Sequence, residues 1–261
     1  MPPPRKQFGQ HFLHDRSVIG RIVAAVACTP DDRLIEIGPG RGAITLPLLE
    51  RHGALTAIEF DRDLARHWRD RAATDLPHLT LIEQDVLTVD WAGLAGGGAL
   101  VVVGNLPYNI ATPILFALLA SPANIRDMLF MVQFEVAERI AASPGSAAYG
   151  RLSVMVQQHC VVERVLRVGP GAFHPPPKVD SAVLQITPRS RSERSATPPL
   201  LGSLVATAFQ ARRKTLRNAL RGLVSPTAME AIGIDPTARA ETLAVAEFVA
   251  LARLAAAEAP T

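Results

Sequence analysis

Short, strongly apolar runs alternate with segments of helical period through the first two thirds of the chain. The runs predict strands at 33–37, 55–60, 79–82, 100–103 and 128–132, and the periodic segments predict helices at 43–51, 63–73, 112–120 and 134–142. An earlier helix is predicted over 17–27, where Val18, Ile19, Ile22, Val23 and Val26 share a face and Asp15 or Ser17 can cap the N-terminus. Strand and helix in alternation with short connections specify a parallel, doubly wound α/β sheet. After a helix at 151–159 come strands at 161–168 and 181–187 with no helix between them, which predicts an antiparallel hairpin at the sheet edge. Residues 188–199 are polar and lack large apolar side chains, as a linker does. Beyond them the pattern is helical throughout, at 200–210, 212–223, 226–232 and 245–257. The expected organisation is an α/β domain over 1–190 and a small all-helical domain over 198–261.

Composition agrees with that size. With 261 residues, 48% of them hydrophobic, the chain can bury a large core and carry an appendage. Its two cysteines, Cys28 and Cys160, sit among apolar residues and read as reduced thiols rather than a disulfide framework. The opening residues are basic and polar, without the apolar stretch of a signal peptide, and no apolar run reaches membrane-spanning length. A cytoplasmic protein without membrane contact is expected. His52, His67, His78 and His159 show no metal-ligand spacing, so no metal is expected.

The chemistry-bearing residues fall where strands end. In an open α/β sheet, ligands bind outside the carboxyl ends of the strands. Gly38, Gly40 and Ala43 follow the first sheet strand and fit either a dinucleotide fingerprint or a site for S-adenosylmethionine, with Glu36 just before them. Glu59 closes the second strand and can accept from ribose hydroxyls; Asp85 follows the third and can accept from an adenine amine. Singly, each such acid is more often a solvated loop residue or a helix cap. The fourth strand runs into Asn105-Leu106-Pro107-Tyr108. An amide, a backbone carbonyl held by proline and an aromatic face suit an exocyclic amine on a flat ring.

At this point the chain resembles the ribosomal RNA adenine dimethyltransferase family, and within it the members acting on the small subunit. The resemblance spans residues 8–254. It rests on Gln10-His11-Phe12-Leu13, Glu36-Ile37-Gly38-Pro39-Gly40, Asn105-Leu106-Pro107-Tyr108-Asn109-Ile110, Tyr149-Gly150-Arg151-Leu152-Ser153-Val154, Phe173-His174-Pro175-Pro176-Pro177-Lys178-Val179-Asp180-Ser181 and Phe209-Gln210-Ala211-Arg212-Arg213-Lys214-Thr215-Leu216-Arg217-Asn218. It implies a Rossmann-like class I methyltransferase sheet. It also implies S-adenosylmethionine as donor, bound at His11, Leu13, Gly38, Glu59, Asp85 and Asn105. The implied target is N6 of two adjacent adenosines near the 3′ end of 16S rRNA, presented to a monomeric enzyme within a 30S subunit or its precursor. Two residues depart from the family pattern: His11 stands where many relatives have Asn, and Phe134 where relatives usually carry Lys.

Two further features await placement. Phe173, ahead of three prolines, reads either as a hydrophobic plug or as a second stacking face opposite Tyr108, and the resemblance favours the stacking face. On the predicted 212–223 helix, Arg213, Arg217 and Arg221 share one face, Leu216, Leu220 and Leu223 turn inward, and Arg212 and Lys214 widen a basic strip. That strip reads as a phosphate-contacting surface, which Arg5, Lys6, Arg189, Arg191 and Arg194 could extend.

Overall fold

The computed structural model describes residues 10–107, 110–121, 124–210 and 213–258. Tyr108 and Arg212, like Arg5 and Lys6, lie outside the described residues.

In chain order the elements begin with β1 (Phe12–Leu13), α1 (Arg16–Ala25), β2 (Asp32–Ile37), α2 (Thr45–His52), β3 (Leu55–Glu59), α3 (Arg62–Thr74) and β4 (Leu79–Glu83). They continue with α4 (Trp91–Ala95), β5 (Ala99–Asn105), α5 (Ala111–Ala120), β6 (Asn124–Gln133), α6 (Phe134–Ile140), α7 (Arg151–His159) and β7 (Cys160–Val168). Then come β8 (Phe173–His174), β9 (Ser181–Pro188), α8 (Arg191–Ser195), α9 (Leu201–Gln210), α10 (Leu216–Ala219), α11 (Pro226–Ala231) and α12 (Val245–Glu258). Asp15 is the cap of α1, its Oδ1 accepting from the N–H groups of Ser17 and Val18.

Seven strands form one sheet in the order β4-β3-β2-β5-β6-β9-β7. The first five are mutually parallel, and β9 joins β6 antiparallel. The order steps outward in both directions from β2 and β5, so the switch point predicted for a doubly wound sheet lies between them. β5 is buried along nearly its whole length, as a central parallel strand must be.

β6 begins four residues earlier than its apolar run, at Asn124. Its polar start is tolerated because Arg126 and Asp127 both find partners. Asp127 is buried and accepts from Gln185 Nε2 at 2.9 Å and Thr187 Oγ1 at 3.0 Å. Arg126 sits at a register shift and pairs with Asp32 at 2.7 Å.

The chain forms two compact units, and they divide differently from 1–190 and 198–261. One unit runs through Ala137 and takes up Glu163–Pro188; the other holds Glu138–Val162 together with the chain from Arg189 onward. The helix α7 belongs to the second unit because Tyr149 and Val154 are part of its core, with Leu204, Leu216, Phe248 and Leu251. There the Tyr149 hydroxyl donates to the Leu243 carbonyl at 2.9 Å.

The polar 188–199 stretch is not a bare linker but contains α8. Ser190 and Glu193 form a capping box around its first turn, Ser190 accepting from the Glu193 N–H and Glu193 from the Ser190 N–H.

Candidate active site

The ladder register brings the predicted strand-end residues level. Ile37 pairs with Ile58 on one side and Gly104 on the other, so Gly38, Glu59 and Asn105 follow at the same height on β2, β3 and β5. Glu59 is itself level with Glu83, and Asp85 lies two residues beyond. His11, Leu13, Gly38, Glu59, Asp85 and Asn105, the positions expected to hold the cofactor, all line one cavity of about 340 Å³, as does Leu106.

Part of the cavity wall, packed against the glycine turn, is β1, one half of a small antiparallel pair that sequence reasoning did not foresee. β1 and β8 join with Phe12 opposite His174 and Leu13 opposite Phe173. His11 Nδ1–H donates to the Pro175 carbonyl at 2.8 Å, and Gln10 Nε2 donates to Asp61 Oδ2 at 3.1 Å. The His11 carbonyl in turn accepts from Asn105 Nδ2 at 3.2 Å. With its nitrogen committed there, the Asn105 amide turns its oxygen elsewhere as an acceptor. The Leu106 N–H donates to Met131 O at 3.0 Å, and among the described residues no backbone N–H donates to the Leu106 carbonyl.

The acids differ in character. Glu59 is buried and accepts from the N–H groups of Phe60 and Asp61 at 2.9 Å and of Gly40 at 3.4 Å. Desolvation raises its pKa, and those three N–H groups oppose the rise. Asp85 is only half-buried; its Oδ1 accepts from Leu87 N, capping the short turn that follows β4. Glu36 is 1% exposed, and burial pushes its carboxyl up to about 8, with the Thr45 hydroxyl offsetting part of that and the Glu59 charge adding to it. Near neutral pH it is therefore mainly the uncharged acid.

The description of the ribosomal RNA adenine dimethylases matches residues 3–257. The chain belongs to that family. A ribosomal RNA small subunit methyltransferase A of Xanthomonas campestris pv. campestris (strain B100) is 52% identical over 253 residues, spanning 97% of this chain and 96% of its own. A dimethyladenosine transferase from Plasmodium falciparum superposes with a TM-score of 0.80 at 25% identity, covering 92% of this chain and 96% of that one. The 23S rRNA methyltransferase ErmE superposes with a TM-score of 0.72 at 26% identity, covering 93% and 98%. The chain is thus an rRNA methyltransferase, and the strand-end edge is its candidate site.

The lining fits S-adenosylmethionine. Glu36 Oε2 is buried in the cavity lining without a hydrogen-bond partner and can serve a polar group of the donor. Gly38 has φ +69° and open space where a Cβ would stand, so the backbone can approach a ligand closely. Trp68, a residue the sequence reading passed over, locks this turn: it is fully buried on α3 and its Nε1 donates to the Gly40 carbonyl at 2.9 Å. A Cβ on Gly42, at φ +85°, would stand 2.5 Å from the Trp68 ring, so only glycine fits beneath it. A tryptophan on the inward face of the helix after β3 was the available signal.

Two expectations meet a different setting in the structure. Phe173 is 2% exposed and packs in the core of the first unit with Leu13, Ile22, Val168 and Val183 as fellow members. That burial fits a plug better than an open stacking face, with Leu13 as its cross-strand partner on β1. The 212–223 helix is also not formed as expected. Only Leu216–Ala219 is helical, because Leu216 and Arg217 donate instead to the Ala238 and Pro236 carbonyls. Arg213, Lys214, Arg217 and Arg221 are all exposed but do not ride one helix face. Leu223 is exposed too, and Val224 fills the core position in its place. Among the described residues there is no His, Cys, Asp or Glu cluster fit for a metal, and no helix long and apolar enough to cross a membrane.

Proposed function

We propose that the enzyme transfers methyl groups from S-adenosylmethionine to N6 of two adjacent adenosines in the 3′-terminal hairpin loop of 16S rRNA. It acts as a cytoplasmic monomer on a 30S subunit or its precursor, and so takes part in subunit biogenesis. The observation that carries the chemistry is the committed Asn105 amide: its Nδ2 is held by the His11 carbonyl, which leaves Oδ1 to accept an N–H. The choice of small-subunit RNA is supported by the 52% identity to a small subunit methyltransferase A, against 26% for the large-subunit enzyme.

The adenine amine is a poor nucleophile because its lone pair is delocalised into the ring. Asn105 Oδ1 and the Leu106 carbonyl accept its two hydrogens, favour a pyramidal nitrogen and fix its direction. When bound, S-adenosylmethionine supplies a methyl group on a cationic sulfur. Glu59 would hold its ribose hydroxyls, Asp85 its adenine amine, and Gly38, His11 and Leu13 its remaining length. No strong base is required, since the proton lost from N6 can pass to water after the transfer. Orientation of two reactants is the main contribution of such a site, worth up to ~7–11 kcal/mol. The base must leave its stack to reach Asn105, at a cost that is smallest in a single-stranded loop. Tyr108 is assigned as the stacking partner of the base, and Arg212, Arg213, Lys214, Arg217 and Arg221 as phosphate contacts.

The test offers labelled S-adenosylmethionine together with undermethylated 30S subunits or with naked 23S rRNA. Label in dimethyladenosine of 16S rRNA is expected. Label in 23S rRNA alone would overturn the substrate assignment in favour of a large-subunit enzyme.

A further inference from the structure

Phe134 opens α6 directly after the end of β6. The structure brings two cations onto the ring. The Arg167 guanidinium lies 4.2 Å from the Phe134 ring centroid and that of Arg164 lies 5.6 Å from it. Both arginines project from β7 and are exposed, while Phe134 is half-buried at the start of α6. The backbone of Phe134 is held in its turn, its N–H donating to the Asp180 carbonyl at 2.9 Å.

We propose that Arg164 and Arg167, stacked on Phe134, bind phosphates of the RNA strand that delivers the target adenine. The inference rests on the reading of the chain as an rRNA adenine methyltransferase and extends it to a contact outside the donor cavity. Position is the first argument. Met131 is the register partner of Asn105, and Phe134 lies three residues further along the same edge. At the rise of an extended chain that is on the order of 10 Å. A strand advancing ~3.4 Å per stacked nucleotide spans that distance in about three nucleotides, so RNA seated at Asn105 passes within reach.

Charge state is the second argument. Arg167 Nε and Nη2 both donate to Asp180 Oδ2, at 2.8 and 2.5 Å, which holds the guanidinium plane while leaving its other N–H groups outward. Arg164 has no carboxylate within ion-pair distance among the described residues, although Glu135 and Glu163 are exposed nearby on the same elements. A purely structural stack accounts for Arg167, which has its carboxylate. It does not account for a second guanidinium brought to the same ring without one. An aromatic face that orients guanidinium groups, with their N–H edges free, is the form in which arginine binds phosphate and unpaired nucleotides.

The experiment uses the full-length enzyme and measures methyl transfer into undermethylated small subunits across a salt series. Arg164→Gln is expected to raise the KM for the subunit about three- to tenfold at about 0.1 M salt and to flatten the log–log salt slope by roughly 0.7. The effect falls on KM for RNA rather than on kcat or on KM for S-adenosylmethionine. Phe134→Leu, which removes the platform, should shift KM the same way, and Phe134→Lys combined with Arg164→Gln should restore it. An unchanged KM and slope overturn the proposal. So does a joint fall of kcat and Tm without a change in salt slope, which would make the stack structural. If the unaltered enzyme labels only 23S rRNA, the substrate assignment fails, and the same KM and slope on that RNA still decide the arginine contact.

Discussion

The strand-end edge around Asn105 and the basic stretch from Arg213 to Arg221 both looked locally periodic in sequence, yet only the first folds as its period says. Around Asn105 the backbone is fixed on both sides by neighbouring strands, β2 and β6, whose ladders run the length of β5. A residue at the end of such a strand has its height set before its side chain is considered. The Arg213–Arg221 stretch has a helical pattern, but its N–H groups at Leu216 and Arg217 are taken by carbonyls some twenty residues later. Thr215 bridges Arg239 in extended fashion, which stops a helix from starting at Arg213. Local period predicts structure where the partners of the backbone are also local or repeat along a ladder. It fails where a distant loop outbids the helix for its hydrogen bonds.

That contrast can be broken most forcefully at Phe173, which belongs to the edge by sequence but to the core by position. Phe173→Ala should cost ~3–5 kcal/mol of stability, as for other buried aromatics. At ~2–4 °C per kcal/mol for a chain of this class, thermal unfolding should show a fall of about 10 °C. A large rise in KM for RNA with an unchanged Tm would instead restore the stacking role. Next in size is Asn105→Ala, expected to lower kcat by ~10²-fold through loss of amine alignment. Filter binding of the RNA should change little, and normal turnover in this variant would end the acceptor assignment.

Glu36 sharpens the same edge through pH. The folded state holds its proton up to about 8, whereas the unfolded value is 4.5, so the folded protein binds more protons between them. Stability from this group is therefore full below the unfolded value and is lost as pH rises toward the folded one. Glu36→Gln removes that slope, and its Tm should gain on the parent by a few degrees between about pH 5 and about pH 8. A gap that stays constant with pH would refute the buried acid. The smallest effect is expected in the basic stretch. Arg213→Gln and Arg217→Gln should each weaken subunit binding about two- to fivefold, with the loss shrinking as salt rises. A loss that ignores salt would mean the change disturbed packing and not phosphate contact.

Much of the α/β unit was legible because its strands carry their own boundaries: Gly38 after β2, Glu59 at the end of β3 and Asn105 at the end of β5. The cavity they share follows from strand order alone. The polar opening of β6 was not legible, since Asp127 is acceptable in a strand only because Gln185 and Thr187 lie across from it. The Ser190–Glu193 box was legible and was outweighed by the run of polar residues around it. His11 and Pro175 stand 164 positions apart, and no local pattern announces that their atoms meet. The arginines over Phe134 are of the same kind. Position 134 read by itself is a lost cation, and read with β7 it is a platform for two.

The pairing of Phe12–Leu13 with Phe173–His174 also sets a time for the site. A ribosome delivers β1 ahead of the sheet and its partner only after all five parallel strands are out. Until then Asn105 has no finished wall beside it, and the Pro175 carbonyl that holds His11 does not exist. The cavity is therefore completed among the last parts of its unit. A growing chain cannot present the assembled cavity before nearly the whole unit has emerged.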